Sequence, residues 1–302
     1  MDGLSYSYFS NMKLIECIKN AEQKKIAVPH FNVGNLEQLK AIAHVGMKLN
    51  VPLIIGVSEG EREYLGTQHI VDFVASYNNT HGKEGGFHLY LNADHTHSLE
   101  KAKEAASAGF DAVLFDAGKL PFEEDIKATR EAVIALKEIN KDLVVEGELG
   151  YIGSSSEILT KIPEGAAIRP EDLTTPEMAE RFTRETGIDL VAPAVENIHG
   201  MYANMKNPAL DIERIRAIHK AVNVPLVLHG GSGTTDEDFA RAIDAGISVI
   251  HISTELRYIW RKELEDVLRE HPMEIAPSKI MPEILKAIEE VVEKRTRLFL
   301  KI

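Results

Sequence analysis

Eight short runs rich in Val, Ile, Leu and Ala, separated by longer stretches, restrict what this chain can fold into more than any other feature. The runs fall at 26–31, 52–57, 88–93, 111–115, 143–149, 189–193, 225–228 and 248–252. Runs this short and continuously apolar suit parallel strands covered on both faces. Apolar residues at helical spacing fill Asn35–Leu49, Ser98–Ala108, Phe122–Glu138, Pro176–Glu185, Ile212–Ala221, Asp236–Ala245 and Glu255–Glu270. Ser98 before one segment and Gly109 after it are a helix start and stop. The expectation is a closed (β/α)8 TIM barrel, a single domain over residues 1–302, with an extra C-terminal helix at Met281–Leu298. An open doubly wound sheet is the alternative. No Gly-x-Gly-x-x-Gly follows the first strand, so dinucleotide binding loses its main support. The irregular stretch Tyr151–Thr175 is long enough to be a functional lid or a disordered insert.

Charge and cysteine usage narrow the function. The formal net charge of −13 argues against nucleic acid or an anionic membrane as partner. An anionic substrate must then be held by local dipoles, a metal or a few cations. One cysteine, Cys17, excludes an internal disulfide framework and fits a reducing cytoplasm. The N-terminal residues lack the pattern of a secretion signal, and no apolar run approaches the roughly 20 residues that span a bilayer.

Barrel enzymes work at the carboxyl ends of their strands. Polar residues collect there: His30 and Asn32, Ser58, Asp94 and His95, Asp116, Glu146 and Glu148, His199, His229, and His251 with Ser253 and Thr254. Imidazole is the commonest metal ligand, and catalytic zinc keeps three protein ligands and an open position. His95, His199 and His229 come from different strand ends, so a barrel can converge them, although no local spacing requires it. Taken singly, each is more often a structural histidine. The run His229-Gly230-Gly231-Ser232-Gly233 lies between the seventh strand and a helix, where backbone amides can cradle an anion; a plain turn is the alternative. Asp94 is placed to shuttle a proton or, failing that, to cap a turn. On an ordinary strand it and His95 would face opposite ways.

At these residues the chain resembles the class II fructose-bisphosphate and tagatose-bisphosphate aldolases. The stretches VPHFNVGNLEQLKA, LNADHTHSLEKAKEAASAGFDAVLFDAG, VVEGELGYIG, ENIHGMY and VLHGGSGTTDEDFARAIDAGI carry the resemblance over nearly the whole chain. It implies one Zn2+ per subunit on His95, His199 and His229, and Asp94 as the acid/base that serves the aldehyde oxygen. It implies an alternative metal position at Asp116 and Glu148. Asn32, Ser58, Gly200, Gly230, Gly231, Ser232, Ser253 and Thr254 would contact the sugar phosphate or an accessory monovalent cation, Na+ or K+. The implied reaction is reversible retro-aldol cleavage of a ketose (bis)phosphate to dihydroxyacetone phosphate and an aldehyde, through a zinc-stabilised enediolate, without a Schiff-base lysine. Homodimers or homotetramers are implied as well.

Three positions depart from the family pattern. His251 stands where an Asn normally contacts the enediolate; it can donate a similar bond, titrate or add a metal ligand. The loop after the fifth strand reads Gly153-Ser154-Ser155-Ser156-Glu157, so Glu157 is the nearest candidate for the glutamate that moves the donor's proton. Lys119 replaces the His of Asp-Gly-Ser-His and is a candidate rim cation. These changes keep open an aldolase for a non-phosphorylated, sulfonated or oxo-acid sugar, and a catalytically weak sugar-phosphate-binding paralogue.

Overall fold

A computed structural model describes residues 12–82, 85–153, 157–160, 169, 172–202 and 207–302. Eight parallel strands close into a barrel: β1 (Val28–Asn32), β2 (Pro52–Ser58), β3 (His88–Thr96), β4 (Ala112–Phe115), β5 (Val144–Leu149), β7 (Leu190–Pro193), β9 (Leu226–Leu228) and β10 (Ile247–Ile252). Each pairs with the next in chain order, and β10 returns to β1 with His30 opposite His251. Two short strands outside the barrel, β6 (Ile158–Leu159) and β8 (Met201–Tyr202), pair with each other. They tie the start of the Tyr151–Thr175 stretch to the loop after β7; much of that stretch lies outside the described residues. The barrel is the expected one, and the open sheet is excluded by closure between β1 and β10.

The helices form where caps and apolar stripes direct them. In α2 (Leu36–Leu49), Asn35 accepts the Gln38 amide at one end and Asn50 adopts the left-handed conformation at the other. Ser98 caps α5 (Leu99–Ala108), and Gly109 ends it at φ 104°. Thr175 caps α7 (Pro176–Thr186), and Thr235 caps α9 (Asp236–Ala245). Between them lie α6 (Phe122–Ile139) and α8 (Ile212–Ala221), and α10 (Thr254–Glu270) follows β10.

Three helices escape the sequence pattern. α1 (Leu14–Gln23) precedes the barrel and packs on β1 and β10. α3 (Glu59–Leu65) and α4 (Thr67–His81) together fill the gap between β2 and β3. Only Ile70 and Val74 of α4 are buried, too few to write a clear apolar stripe. α3 does carry a usable signal, the capping box Ser58-x-x-Glu61. The extra C-terminal helix α11 spans Pro277–Leu300 and packs within the chain against α2 and α10, burying Ile284, Ile288, Val292 and Phe299. Among the described residues no helix is long and apolar enough to cross a membrane.

Candidate active site

The barrel gathers three histidines from the ends of β3, β7 and β9. The His95 ring centroid lies 4.7 Å from that of His199 and 5.1 Å from that of His229, and His199 and His229 are 5.8 Å apart. His95 Nε2 approaches His229 Nδ1 at 3.3 Å. The outer nitrogen of each ring is already engaged. His95 Nδ1 meets Asp116 Oδ2 at 2.8 Å, His199 Nδ1 donates to the Gly153 carbonyl at 2.6 Å, and His229 Nε2 meets Glu146 Oε1 at 2.6 Å. With each ring neutral, as a metal requires, acceptors on the outer nitrogens place the ring proton there and turn His95 Nε2, His199 Nε2 and His229 Nδ1 inward as lone-pair donors. This is how metal-binding imidazoles are oriented.

Glu148, not Asp116, joins this group. His95, Glu148, His199 and His229 offer ligand atoms within 4.8 Å of one another. Glu148 is buried, and its Oε2 has no hydrogen-bond partner. The donor set therefore fits a divalent cation: three oriented imidazoles with a buried, unsatisfied carboxylate beside them.

Electrostatics agree with that fit. Burial opposes charge on His95, but Asp94, Asp116 and Glu148 overcome it and push its pKa up to about 10. Burial pushes His199 down to about 3 and raises Glu148 to about 8. His229 is raised because Glu146 outweighs its burial. Without a cation, a proton on His95 supplies the positive charge this ring of carboxylates demands.

Asp94 reaches the same site because the strand is not regular there. Register against β4 shifts between Ala93 and Thr96, and His95 adopts φ 38°. Few non-glycine residues hold that conformation, and it removes the opposite-face conflict between neighbours. Asp94 is buried, accepts from Asn32 Nδ2 at 2.8 Å, and lies 3.4 Å from His251 Nδ1. Burial opposes its ionisation, yet His95 and His251 hold its pKa well below the usual range.

A cleft of about 530 Å³ opens onto this centre. Asn32, Ser58, Asp94, His95, Asp116, His199 and Glu157 all line it. The Ser58 hydroxyl also accepts the Glu61 amide at 3.4 Å, so it caps α3 while facing the cleft. His97 lines the cleft but stands outside the metal-ligand group. Lys119 stacks on Tyr151 at 5.3 Å and is not among the described residues that line the cleft.

A smaller side pocket shares Asn32, Asp94, His95 and His199 and is completed by Gly200, Gly230, Ser232, His251, Ser253 and Thr254. It lies at the N-terminus of α10. A β-carbon at Gly230 would collide with the Ile198 carbonyl, and φ there is 60°, so this turn requires glycine. Gly231 differs from the expectation. Its amide donates to the His251 carbonyl at 3.2 Å and is not available to an anion. Ser253 Oγ and His251 Nε2 are buried without partners, and His251 Nδ1 has only its 3.4 Å contact with Asp94.

Sequence reasoning attached no role to His30, which is fully buried and stacked face to face on His251 at 3.4 Å. A β-carbon at Gly56 would strike the His30 ring. A glycine in the middle of β2, opposite Asn32 in register on the neighbouring strand, was the one signal for it.

The pattern of the class II fructose-bisphosphate aldolases matches residues 12–301. The chain belongs to that family. Its fold agrees with solved structures of aldolases. The YdjI aldolase of Escherichia coli K12 is 27% identical over 95% of this chain and 96% of its own, with a TM-score of 0.77. A putative fructose-1,6-bisphosphate aldolase of Coccidioides immitis is 28% identical over 96% of this chain and 97% of its own, with a TM-score of 0.80. Fructose-bisphosphate aldolase of Campylobacter jejuni shares the fold at 17% identity and a TM-score of 0.75, over 95% of this chain and 93% of its own. The class II aldolase family is in general metal-dependent, and family and neighbours together support aldolase activity, a carbon–carbon lyase, for this chain.

Proposed function

We propose that this chain is a zinc aldolase that cleaves a ketose phosphate reversibly into dihydroxyacetone phosphate and an aldehyde. The observation that carries the reading is the orientation of His95, His199 and His229, each with its outer nitrogen held and its inner nitrogen directed to a shared centre. Those three would hold the metal, with Glu148 as the adjacent carboxylate. A bound divalent ion supplies Lewis-acid polarisation of the donor half's carbonyl and hydroxyl oxygens.

The chain's own residues do the rest. Asp94, fixed by Asn32, takes the proton from the C4 hydroxyl in cleavage and returns it to the aldehyde oxygen in condensation. Its low pKa keeps it a base until the substrate proton arrives. Glu157, on the wall of the same cleft, moves the proton at the donor carbon. The small pocket at the start of α10 takes the donor phosphate, where Ser253 and His251 offer unsatisfied polar atoms and the helix N-terminus favours an anion. Self-association belongs to the same reading. The groove between α2 and α11, with Leu36, Met281 and Leu285, supplies an apolar face.

Metal analysis of the purified protein, followed by a retro-aldol assay on a ketose phosphate panel with and without chelator, tests this. One zinc per chain and chelator-sensitive cleavage are expected. Turnover that survives complete metal removal would overturn the metal reading; bound zinc with no cleavage of any ketose would favour a sugar-phosphate-binding paralogue.

A further inference from the structure

The cleft has two unlike halves. The inner pocket is built from Gly200, Gly230, Ser232, Ser253 and Thr254 and, among the described residues, contains no carboxylate beyond the shared Asp94. The outer basin is acidic. Among the described residues, Glu59, Glu63, Asp94, Asp116 and Glu157 line it, against one guanidinium, Arg257, and the imidazole of His97, which lies 3.6 Å from Asp116. That guanidinium is itself bonded to Glu61 at 2.6 Å. Lys101 lies 3.6 Å from Glu63 but does not line the cleft. A divalent ion at the three histidines offsets two of the five carboxylate charges and leaves the basin negative.

A ketose bound with its phosphate in the inner pocket and its reacting carbons beside Asp94 and His95 must extend its far end into that basin. A second phosphate there would sit among carboxylates. Each carboxylate–phosphate charge pair about 8 Å apart costs about a factor of two in affinity even at a water-like dielectric. The penalties multiply over several pairs and over the two charges of the phosphate. Hydroxyl groups meet the opposite situation, since they donate to carboxylates.

We infer that this aldolase acts on ketoses phosphorylated only at the donor end and releases an uncharged polyhydroxy aldehyde. The inference rests on the proposed donor site and narrows its substrate class from bisphosphates to monophosphates. In cleavage the C3–C4 bond breaks, the C4 hydroxyl proton passes to Asp94, and the bonding pair remains on the donor half until C3 is reprotonated.

The test has two stages, both on the metal-loaded full chain. Exchange of the C3 proton of dihydroxyacetone phosphate in D2O, followed by NMR, reports the donor site alone. Condensation is then measured with matched acceptors: glyceraldehyde against glyceraldehyde 3-phosphate, and erythrose against erythrose 4-phosphate. The neutral aldehyde should have the higher kcat/KM in each pair, by tenfold or more. Raising the salt should narrow the gap, because exposed charges are screened over about 10 Å or less. The variant Glu63→Lys should shift the ratio several-fold toward the phosphorylated acceptor. Proton exchange accompanied by equal or better use of phosphorylated acceptors overturns the monophosphate inference and leaves the donor reading standing. Exchange without condensation on any acceptor does the same. Absence of exchange sinks the donor reading and this inference with it.

Discussion

Two groups of histidines share one barrel mouth and are treated in opposite ways. In the first, His95, His199 and His229, every ring has an acceptor on its outer nitrogen. In the second, His30 and His251 stack face to face; His30 Nε2 meets Asn92 Nδ2 at 3.1 Å, His251 Nδ1 lies 3.4 Å from Asp94 Oδ1, and the other two ring nitrogens have no partner. His229 touches both groups, since its ring lies 4.1 Å from that of His251. A ring with one nitrogen held presents the other in a fixed direction, as a ligand must. A ring fixed mainly by stacking, with one nitrogen still unengaged, has a fixed plane and an unspent polar atom, which suits contact with something that comes and goes. The parallel planes of His30 and His251, 4° apart, also argue against both binding one ion, because a metal lies close to the plane of each ring that ligates it. The contrast teaches that ligand histidines are recognised by what holds their far side.

The strongest way to break the comparison is His199→Ala. Removing one oriented donor from the first group should abolish zinc retention in metal analysis and lower cleavage by at least about a thousandfold, on the premise that the metal carries most of the charge stabilisation. Full metal content in that variant would dissolve the distinction. Asp94→Asn comes next. It should keep zinc, because Asp94 holds no outer nitrogen of the three, and lose about a hundred- to ten-thousandfold in turnover, the usual share of a proton carrier. Unchanged turnover would remove Asp94 from the chemistry.

Glu146→Gln sharpens the first half. It removes the charge from the acceptor on His229 Nε2 while keeping its shape. Metal affinity should fall about ten- to a hundredfold, the usual weight of such a partner. An affinity within twofold of the parent would show that held outer nitrogens do not mark ligands here. A related test follows from protonation. His95, with its pKa at about 10, carries a proton at neutral pH in the metal-free chain, and the metal takes only its deprotonated form. Zinc uptake should therefore release about one proton or more, and affinity should weaken as pH falls below that value. Calorimetry in buffers of different ionisation enthalpy reads this directly; uptake without proton release would contradict it.

Much of this was legible in the sequence because burial on both faces forces parallel strands into continuous apolar runs. The polar residue that ends each run then marks the working rim, which is how Asp94, His95, His199 and His229 could be singled out. What was not legible depended on geometry across strands. Asp94 and His95 share a site only through the twist at φ 38°, and no residue type announces that twist. The partners Asp116, Gly153 and Glu146 lie 21, 46 and 83 positions from the histidines they hold, so spacing could not pair them. His30 stayed hidden because its meaning lies in the missing side chain of Gly56 on the next strand.

His251→Leu is the smallest expected effect and probes the second group. The substitution keeps similar bulk beside His30 and His229 and deletes one buried nitrogen that has no partner and one whose contact is Asp94 at 3.4 Å. Removing the unpaired nitrogen gains about 1–3 kcal/mol and removing the contact to Asp94 costs a comparable amount, so the Tm should stay close to the parent's. Zinc content should not move, since His251 holds none of the ligands. The kcat/KM for the ketose phosphate should fall about tenfold, the worth of one good hydrogen bond to the substrate in the pocket His251 lines. Stability kept while activity is lost is the signature of a polar atom kept for a ligand. If the variant instead loses zinc, His251 belongs with the first group; if activity is untouched, the stacked pair is structural and the contrast between the two groups reduces to packing.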